Sequence, residues 1–144
     1  MTDGKILNMA SQIEIYTDGG SRGNPGPSAC AFVVIKEGSV IHEESAFLGE
    51  GTNNNAEYQG LINALRWLTI NGKQKETVVI YMDSELVVRQ VKGIYKVKHP
   101  VMKMKHQEVT GLLSQFSHLT FQNVPRLQNA HPDRLVNEEL DKRG

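Results

Sequence analysis

Four acidic residues stand where a carboxylate can do chemistry. Asp18 follows an alternating stretch, Ile13-Glu14-Ile15-Tyr16-Thr17, and leads into Gly19-Gly20-Ser21-Arg22-Gly23-Asn24-Pro25-Gly26, a turn built on four glycines. Glu57 lies in Asn53-Asn54-Asn55-Ala56-Glu57-Tyr58, Asp83 in Tyr81-Met82-Asp83-Ser84-Glu85-Leu86, and Asp133 in Asn129-Ala130-His131-Pro132-Asp133-Arg134-Leu135. Glycine lets backbone approach a ligand closely. An acid beside exposed backbone N–H groups suits a metal ion with a phosphate. Gathered in one place, the four would repel. One like-charge pair at ~4 Å costs on the order of 4 kcal/mol at an effective dielectric of about 20. Such a cluster persists only if divalent cations occupy it or some of its acids stay protonated. All-oxygen donors favour Mg²⁺ or Mn²⁺ over zinc, and a single cysteine offers no thiolate zinc site. Two hard cations about 3.5–4 Å apart are the usual device for in-line phosphodiester hydrolysis.

Each acid also has a plain structural reading. Asp18 fits an Asx-turn. Asn54-x-x-Glu57 fits a capping box. Asp83 fits the N-cap of a helix beginning at Ser84. Asp133 fits the first turn of a terminal helix, where it favours the dipole. What joins the four is that each sits at the end of a strand or helix, where a sheet topology can bring such ends together.

The elements that would position them follow from hydrophobic period. Ile13 to Asp18 alternates, Ala29 to Lys36 is nearly all apolar, Glu37-Gly38 is a turn, and Ser39 to Leu48 returns, so these read as an antiparallel meander. From Asn54 to Ile70 the period changes, with Tyr58, Leu61, Ile62, Leu65 and Leu68 forming a helical stripe ended by Asn71-Gly72. Trp67 lies off the stripe and predicts a second helix over that face. Thr77 to Met82 is apolar and β-branched without clear alternation, as in a central strand buried on both faces. A short helix over Ser84–Val91, a second over Val101–Ser114, a last strand over Leu119–Val124 and a terminal helix opened by Pro132 complete the chain. The order β-β-β-α-β-α-α-β-α predicts an α/β fold with a mixed sheet.

The 144 residues fit one domain, expected over 12–144 behind a loose leader at 1–11 that lacks a signal-peptide pattern. No apolar run approaches the ~18 residues of a membrane span, and Cys30, in an apolar run, reads as a buried side chain. A cytoplasmic monomer is the expectation. Formal net charge is zero, but the charge is uneven. From Leu86 to Gln107 there is no acid, while Arg89, Lys92, Lys96, Lys98, Lys103 and Lys105 are all basic. A basic strip beside an acidic cluster suits a metal-dependent enzyme acting on nucleic acid. A solvated helix and loop face is the alternative.

The blocks Thr17 to Gly26, Thr52 to Glu57, Met82-Asp83-Ser84 and Asp133 to Asn137 occur in the order found in the type 1 ribonucleases H, and the chain resembles that family from about Ile13 to Asp141. The resemblance implies a five-stranded mixed sheet with helices on both faces. It also implies hydrolysis of the RNA strand of an RNA–DNA hybrid with two Mg²⁺ ions, Mn²⁺ as a substitute, and 5′-phosphate and 3′-hydroxyl ends. Asp18, Glu57, Asp83 and Asp133 match the family's metal-binding acids. Gly19, Asn24, Thr52, Asn53 and Asn54 match its contacts to sugar and phosphate; amides can both donate to and accept from a 2′-hydroxyl.

The chain also departs from the family pattern. Gly93 to Pro100 is too short for the basic handle of many members, so Lys96, Lys98, Lys103 and Lys105 are read as a replacement grip, and double-stranded RNA as a further substrate to test. Glu85 stands where members often carry Gln for a sugar contact. His131, two residues before Asp133, is either a proton shuttle or a residue that shapes the helix start; Pro132 restricts its backbone and favours the second. Two other functions compete: a nucleic-acid-binding module without chemistry, and another phosphotransfer enzyme of the same fold. Fold alone does not choose between them.

Overall fold

The computed structural model describes residues 12–143, so the expected leader at 1–11 lies outside the described residues. The elements are β1 (Ile13–Ser21), β2 (Gly26–Lys36), β3 (Ser39–Gly51), α1 (Asn53–Ile70), β4 (Thr77–Met82), α2 (Glu85–Val91), α3 (Pro100–Leu113), β5 (His118–Asn123), a 3-10 turn (Arg126–Asn129) and α4 (Ala130–Asp141). They form one mixed five-stranded sheet in the order β3-β2-β1-β4-β5. The meander β1-β2-β3 is antiparallel, and β4 and β5 run parallel to β1. Glu37 and Gly38 turn the second hairpin with φ of 53° and 77°, the sign that a two-residue hairpin loop requires.

One face of the sheet carries the main core. The predicted stripe of α1 is wholly buried against Ile13, Ile15, Phe32, Val34, Val78 and Ile80. Each such side chain stabilises by roughly 1.5–3 kcal/mol. On the other face Val136 and Leu140 of α4 pack on Ala29 and Ala31 of β2, whose small side chains let the helix come close.

Two expectations change. Strand β4 is not buried on both faces: Val78, Ile80 and Met82 are buried, while Thr77, Val79 and Tyr81 are half-buried. Helix α4 packs on β1, β2 and β3, so the second face of β4 is finished by Tyr81 stacking on Tyr16, with ring centroids 4.6 Å apart. Trp67 stacks on the His42 ring of β3, at 5.0 Å, and a second helix, α3, does pack on α1. The terminal helix begins at Ala130, which places Pro132 inside its first turn, where a missing N–H costs no hydrogen bond.

Candidate active site

Strands β1 and β4 pair in parallel only as far as Thr17 and Met82. The next residues of each strand are Asp18 and Asp83, so two carboxylates stand where the central pair separates. Ligand sites of α/β sheets lie at such carboxyl ends. Asp83 is not a helix cap: Ser84 takes that place, its hydroxyl accepting from the Val87 N–H at 3.3 Å, which leaves the Asp83 carboxylate for the cleft.

Glu57 arrives from α1. The capping-box reading fails here, because the helix cap is Thr52, two residues before Asn54, and its hydroxyl accepts from the Asn55 N–H. Glu57 instead turns toward β1 and accepts from the Gly19 N–H at 3.1 Å. Gly19 is what makes this approach possible. A Cβ there would lie 2.3 Å from the carbonyl of Ala56, so β1 and α1 touch backbone to backbone. The glycine expected to admit a ligand admits a helix. Gly19, Gly20 and Ser21 also remain in β1, paired with Cys30, Ala29 and Ser28, so the turn begins only at Arg22.

Asp18, Glu57 and Asp83 each offer one oxygen such that all three lie within 4.8 Å of one another. Asp18 and Glu57 are buried. Burial pushes the Asp18 carboxyl up to about 7, with the charges of Asp83 and Asp133 adding to it. Burial, then the neighbouring Asp18, raises Glu57 well above its ordinary range. Burial also raises Asp83, against a hydrogen bond from Asn129 and the charge of Arg126. The second oxygen of Glu57, Oε2, is buried with no hydrogen-bond partner. An orphaned carboxylate oxygen facing two other acids fits a cation that would bind all three. Asp133 stands at the wall of the same cleft, half-buried in the first turn of α4, with Arg126 Nη2 3.7 Å from its Oδ1.

The cleft holds about 300 Å³ and is mostly polar, and a second depression of about 450 Å³ adjoins it through Asn54. Asn24 and Thr52 line that neighbour, with His99, Val101 and Met102 of the α3 start. The Asn53 side-chain oxygen accepts from the Ser21 N–H at 2.8 Å, and the Asn24 oxygen accepts from the Asn53 N–H at 3.0 Å. These oxygens staple the β1–β2 turn to α1, so each residue has its NH₂ group to present to a ligand.

Other predicted residues lie elsewhere. Glu85 pairs with Arg89 one turn along α2, at 3.2 Å. Lys96, Lys98 and Lys103 are exposed, and Lys96 and Lys103 line one shallow depression with Tyr95 and His106. Lys105 is different: its ammonium donates to Gln59 of α1 at 2.7 Å. His131 faces β3, with Nε2 2.6 Å from the Glu43 carboxylate, and it is not among the residues lining the acidic cleft.

His131→Ala should therefore lower activity by less than about tenfold, with a small fall in melting temperature, since a part-exposed pair contributes ~0–1 kcal/mol. A proton shuttle would cost ~10²–10⁴-fold in turnover with little change in substrate binding; turnover set against melting temperature separates the two.

Three residues beside the acids had no sequence-level assignment: Arg22, Arg126 and Asn129. Arg22 lines the cleft from the β1–β2 turn and binds Asp141 at 2.6 Å. Arg126 and Asn129 come from the 3-10 turn between β5 and α4. The usable signal was a lone basic residue in the segment linking the last strand to the last acid.

Fold and site together define an α/β protein with an all-oxygen acidic centre at the split of its two central parallel strands. The chain belongs to the RNase H family, whose model matches residues 10–141. It is 41% identical over 132 residues to the bifunctional protein Rv2228c of Mycobacterium tuberculosis, covering 90% of this chain and 36% of that one. It is 36% identical to ribonuclease HI of Halobacterium salinarum, covering 90% of this chain and 65% of the relative. The chain thus spans about a third of the mycobacterial relative's length. Among solved structures, LC11-RNase H1 in complex with an RNA/DNA hybrid superposes with a TM-score of 0.85 at 47% identity, covering 90% of this chain and 97% of that one. RNase H1 of Halobacterium salinarum NRC-1 superposes at 0.86 with 35% identity, covering 92% and 99%.

Proposed function

We propose that this chain is an endoribonuclease that hydrolyses the RNA strand of RNA–DNA hybrids, leaving 5′-phosphate and 3′-hydroxyl ends. The observation that carries the reading is the convergence of Asp18, Glu57 and Asp83 within 4.8 Å in a polar cleft. The likeness to LC11-RNase H1, a protein solved with a hybrid bound, supports the substrate class. Asp18, Glu57, Asp83 and Asp133 would hold Mg²⁺, with Mn²⁺ as a substitute. Bound there, two such ions would supply an activated water and neutralise charge on the phosphate.

The chain's own residues do the rest. The orphaned Glu57 oxygen and the raised Asp18 and Asp83 carboxyls make the cluster electrostatically costly on its own, so it favours cations strongly. Asn24, Thr52 and Asn54 line the adjoining depression, where NH₂ and hydroxyl groups suit a sugar 2′-hydroxyl and a phosphate. Residues 92–99 join α2 to α3 directly, which supports the handle-less type, and Lys96, Lys98 and Lys103 would hold the backbone in the handle's place. The reading assigns this activity to residues 12–144 acting as a monomer in the cytoplasm; among the described residues no helix is long and apolar enough to cross a membrane.

The test is cleavage of labelled RNA–DNA hybrid, double-stranded RNA and double-stranded DNA side by side, in Mg²⁺ and in Mn²⁺. Hybrid should be cut to 3′-hydroxyl products and double-stranded DNA left intact; cleavage of double-stranded RNA would widen the substrate class. Intact hybrid in both metals, from protein that binds Mg²⁺ by calorimetry, would reduce the chain to a binding module.

Neutralising Lys96, Lys98 and Lys103 together should weaken hybrid binding and flatten its salt dependence. Every lysine–phosphate pairing removed lowers the slope of log K against log salt by roughly 0.7–0.9. Turnover at saturating hybrid should hardly change, because these residues position rather than react. Lys105, tied to Gln59, should affect stability more than the slope. Binding titrations at several salt concentrations decide it, and an unchanged slope would make the strip a solvated face.

A further inference from the structure

We infer that Asn129 is a positioning residue of the acidic centre: its buried amide fixes the Asp83 carboxylate against the end of β1, and cation binding by Asp18, Glu57 and Asp83 depends on that fixation. The inference rests on the reading of these acids as cation ligands. Asn129 is fully buried and ends the 3-10 turn ahead of α4. Its Nδ2 donates to the Thr17 carbonyl at 2.8 Å and to Asp83 Oδ2 at 3.3 Å. Those partners lie 112 and 46 residues away in sequence.

The placement answers a need of the sheet. Pairing of β1 with β4 stops at Thr17 and Met82, so no ladder bond ties Asp18 to Asp83. On its far side β4 is closed, because the Met82 carbonyl accepts from the Val124 N–H at 2.9 Å and from Asn123 Nδ2 at 3.0 Å. On the side facing β1, the Asn129 amide occupies the break.

The amide also has only one workable orientation. Turned over, its oxygen would face a carbonyl and a carboxylate, which are both acceptors. The donor must therefore point at Asp83, and Oδ1 is left buried without a partner. An unpaired buried acceptor is costly. A side chain needed only to fill space would be apolar at lower cost. A neutral donor is also the right kind of group for the task. It orients a carboxylate oxygen without adding a positive charge that would compete with a cation.

The experiment compares wild type, Asn129→Ala and Asn129→Asp, with Val78→Ala as a buried core variant away from the cleft. Three quantities are measured: melting temperature, the Mg²⁺ dissociation constant by calorimetry, and the Mg²⁺ midpoint of hybrid cleavage. Loss of an outer partner of a metal ligand typically weakens metal binding about 10–100-fold. Asn129→Ala should move both Mg²⁺ values upward by that factor, and Asn129→Asp, which sets an acceptor against Asp83, by at least as much. Val78→Ala should lower the melting temperature and leave the Mg²⁺ values alone. Unmoved Mg²⁺ values in Asn129→Ala, with wild type active, would overturn the inference and leave Asn129 a packing residue. An inactive wild type that binds no Mg²⁺ would instead remove the reading beneath it. If both Asn129 variants fail to fold, the side-chain NH₂ resonances of Asn129 in wild type provide the test. They should shift on Mg²⁺ titration and saturate with the calorimetric constant; resonances indifferent to Mg²⁺ would overturn the inference.

Discussion

Asp83→Asn is expected to abolish hybrid cleavage while the fold stands. The change keeps the shape of the side chain and removes one negative charge from the three-acid group. Asp83 sits at the open end of β4, half-buried, and caps no helix, so no secondary structure depends on its charge. A residual activity above about a tenth of wild type corresponds to a loss below ~1.4 kcal/mol in transition-state stabilisation, and would show that Asp83 is not a central ligand. The same substitution should raise the melting temperature in chelator, because it removes one of the charges that crowd Asp18 and Glu57. A melting temperature that falls in chelator would argue against mutual repulsion in the cluster.

Without divalent cation, stability should fall as pH rises from about 4 to about 7. The Asp18 carboxyl is raised from 3.8 to about 7 in the folded protein, and Glu57 and Asp83 are raised with it. Between those values the folded chain holds protons that the unfolded chain has released. Stability rises with pH only where the unfolded state binds more protons, so here the sign is negative. The contribution is fully present below the unfolded value and is lost as pH passes through the folded one. At about 1.4 kcal/mol for each pH unit between the two values, Asp18 alone accounts for on the order of 4 kcal/mol. Mg²⁺ should remove most of the slope by taking the protons' place. Melting curves from pH 5 to pH 8 in chelator and in Mg²⁺ test this, and the difference between the two series separates the acids from histidines elsewhere. A chelated protein as stable at pH 8 as at pH 5 would mean that the acids do not share one site.

The strand and helix order can be read from hydrophobic period, and the acids stand out because each ends an element. What cannot be read is where side chains turn. Glu57 satisfies a local capping pattern with Asn54, yet the helix starts at Asn53 under Thr52, and Glu57 serves a contact to Gly19, 38 residues away. Gly19 looks like a place for a ligand because it opens a glycine-rich run beside Asp18; its actual neighbour in space is the Ala56 carbonyl, which no local pattern shows. His131 stands out by lying close to Asp133 in sequence, but α4 turns it toward Glu43. Asn129 has no local signature, since its role exists only where three distant segments meet. Lys105 groups with its neighbours by charge and is set apart by the facing Gln59.

Helix α4 rests on a core of its own. Val136 and Leu140 meet Ala29 and Ala31 there, apart from the larger cluster that α1 shares with β1, β2 and β4. Further ties include the exposed pairs of His131 with Glu43 and Arg22 with Asp141, and the part-buried bond from Ser45 to Glu139. Elements held by few apolar contacts open at lower free energy than the rest of a fold. Amide protons of α4 should accordingly exchange with solvent faster than those of α1. Such an opening would carry Asp133 out of the cleft while Asp18, Glu57 and Asp83 keep their places on β1, α1 and the end of β4. The fourth acid would then leave and re-enter the cleft at the rate at which α4 lifts from its small cluster, and a ligand that touches Asp133 should slow that exchange.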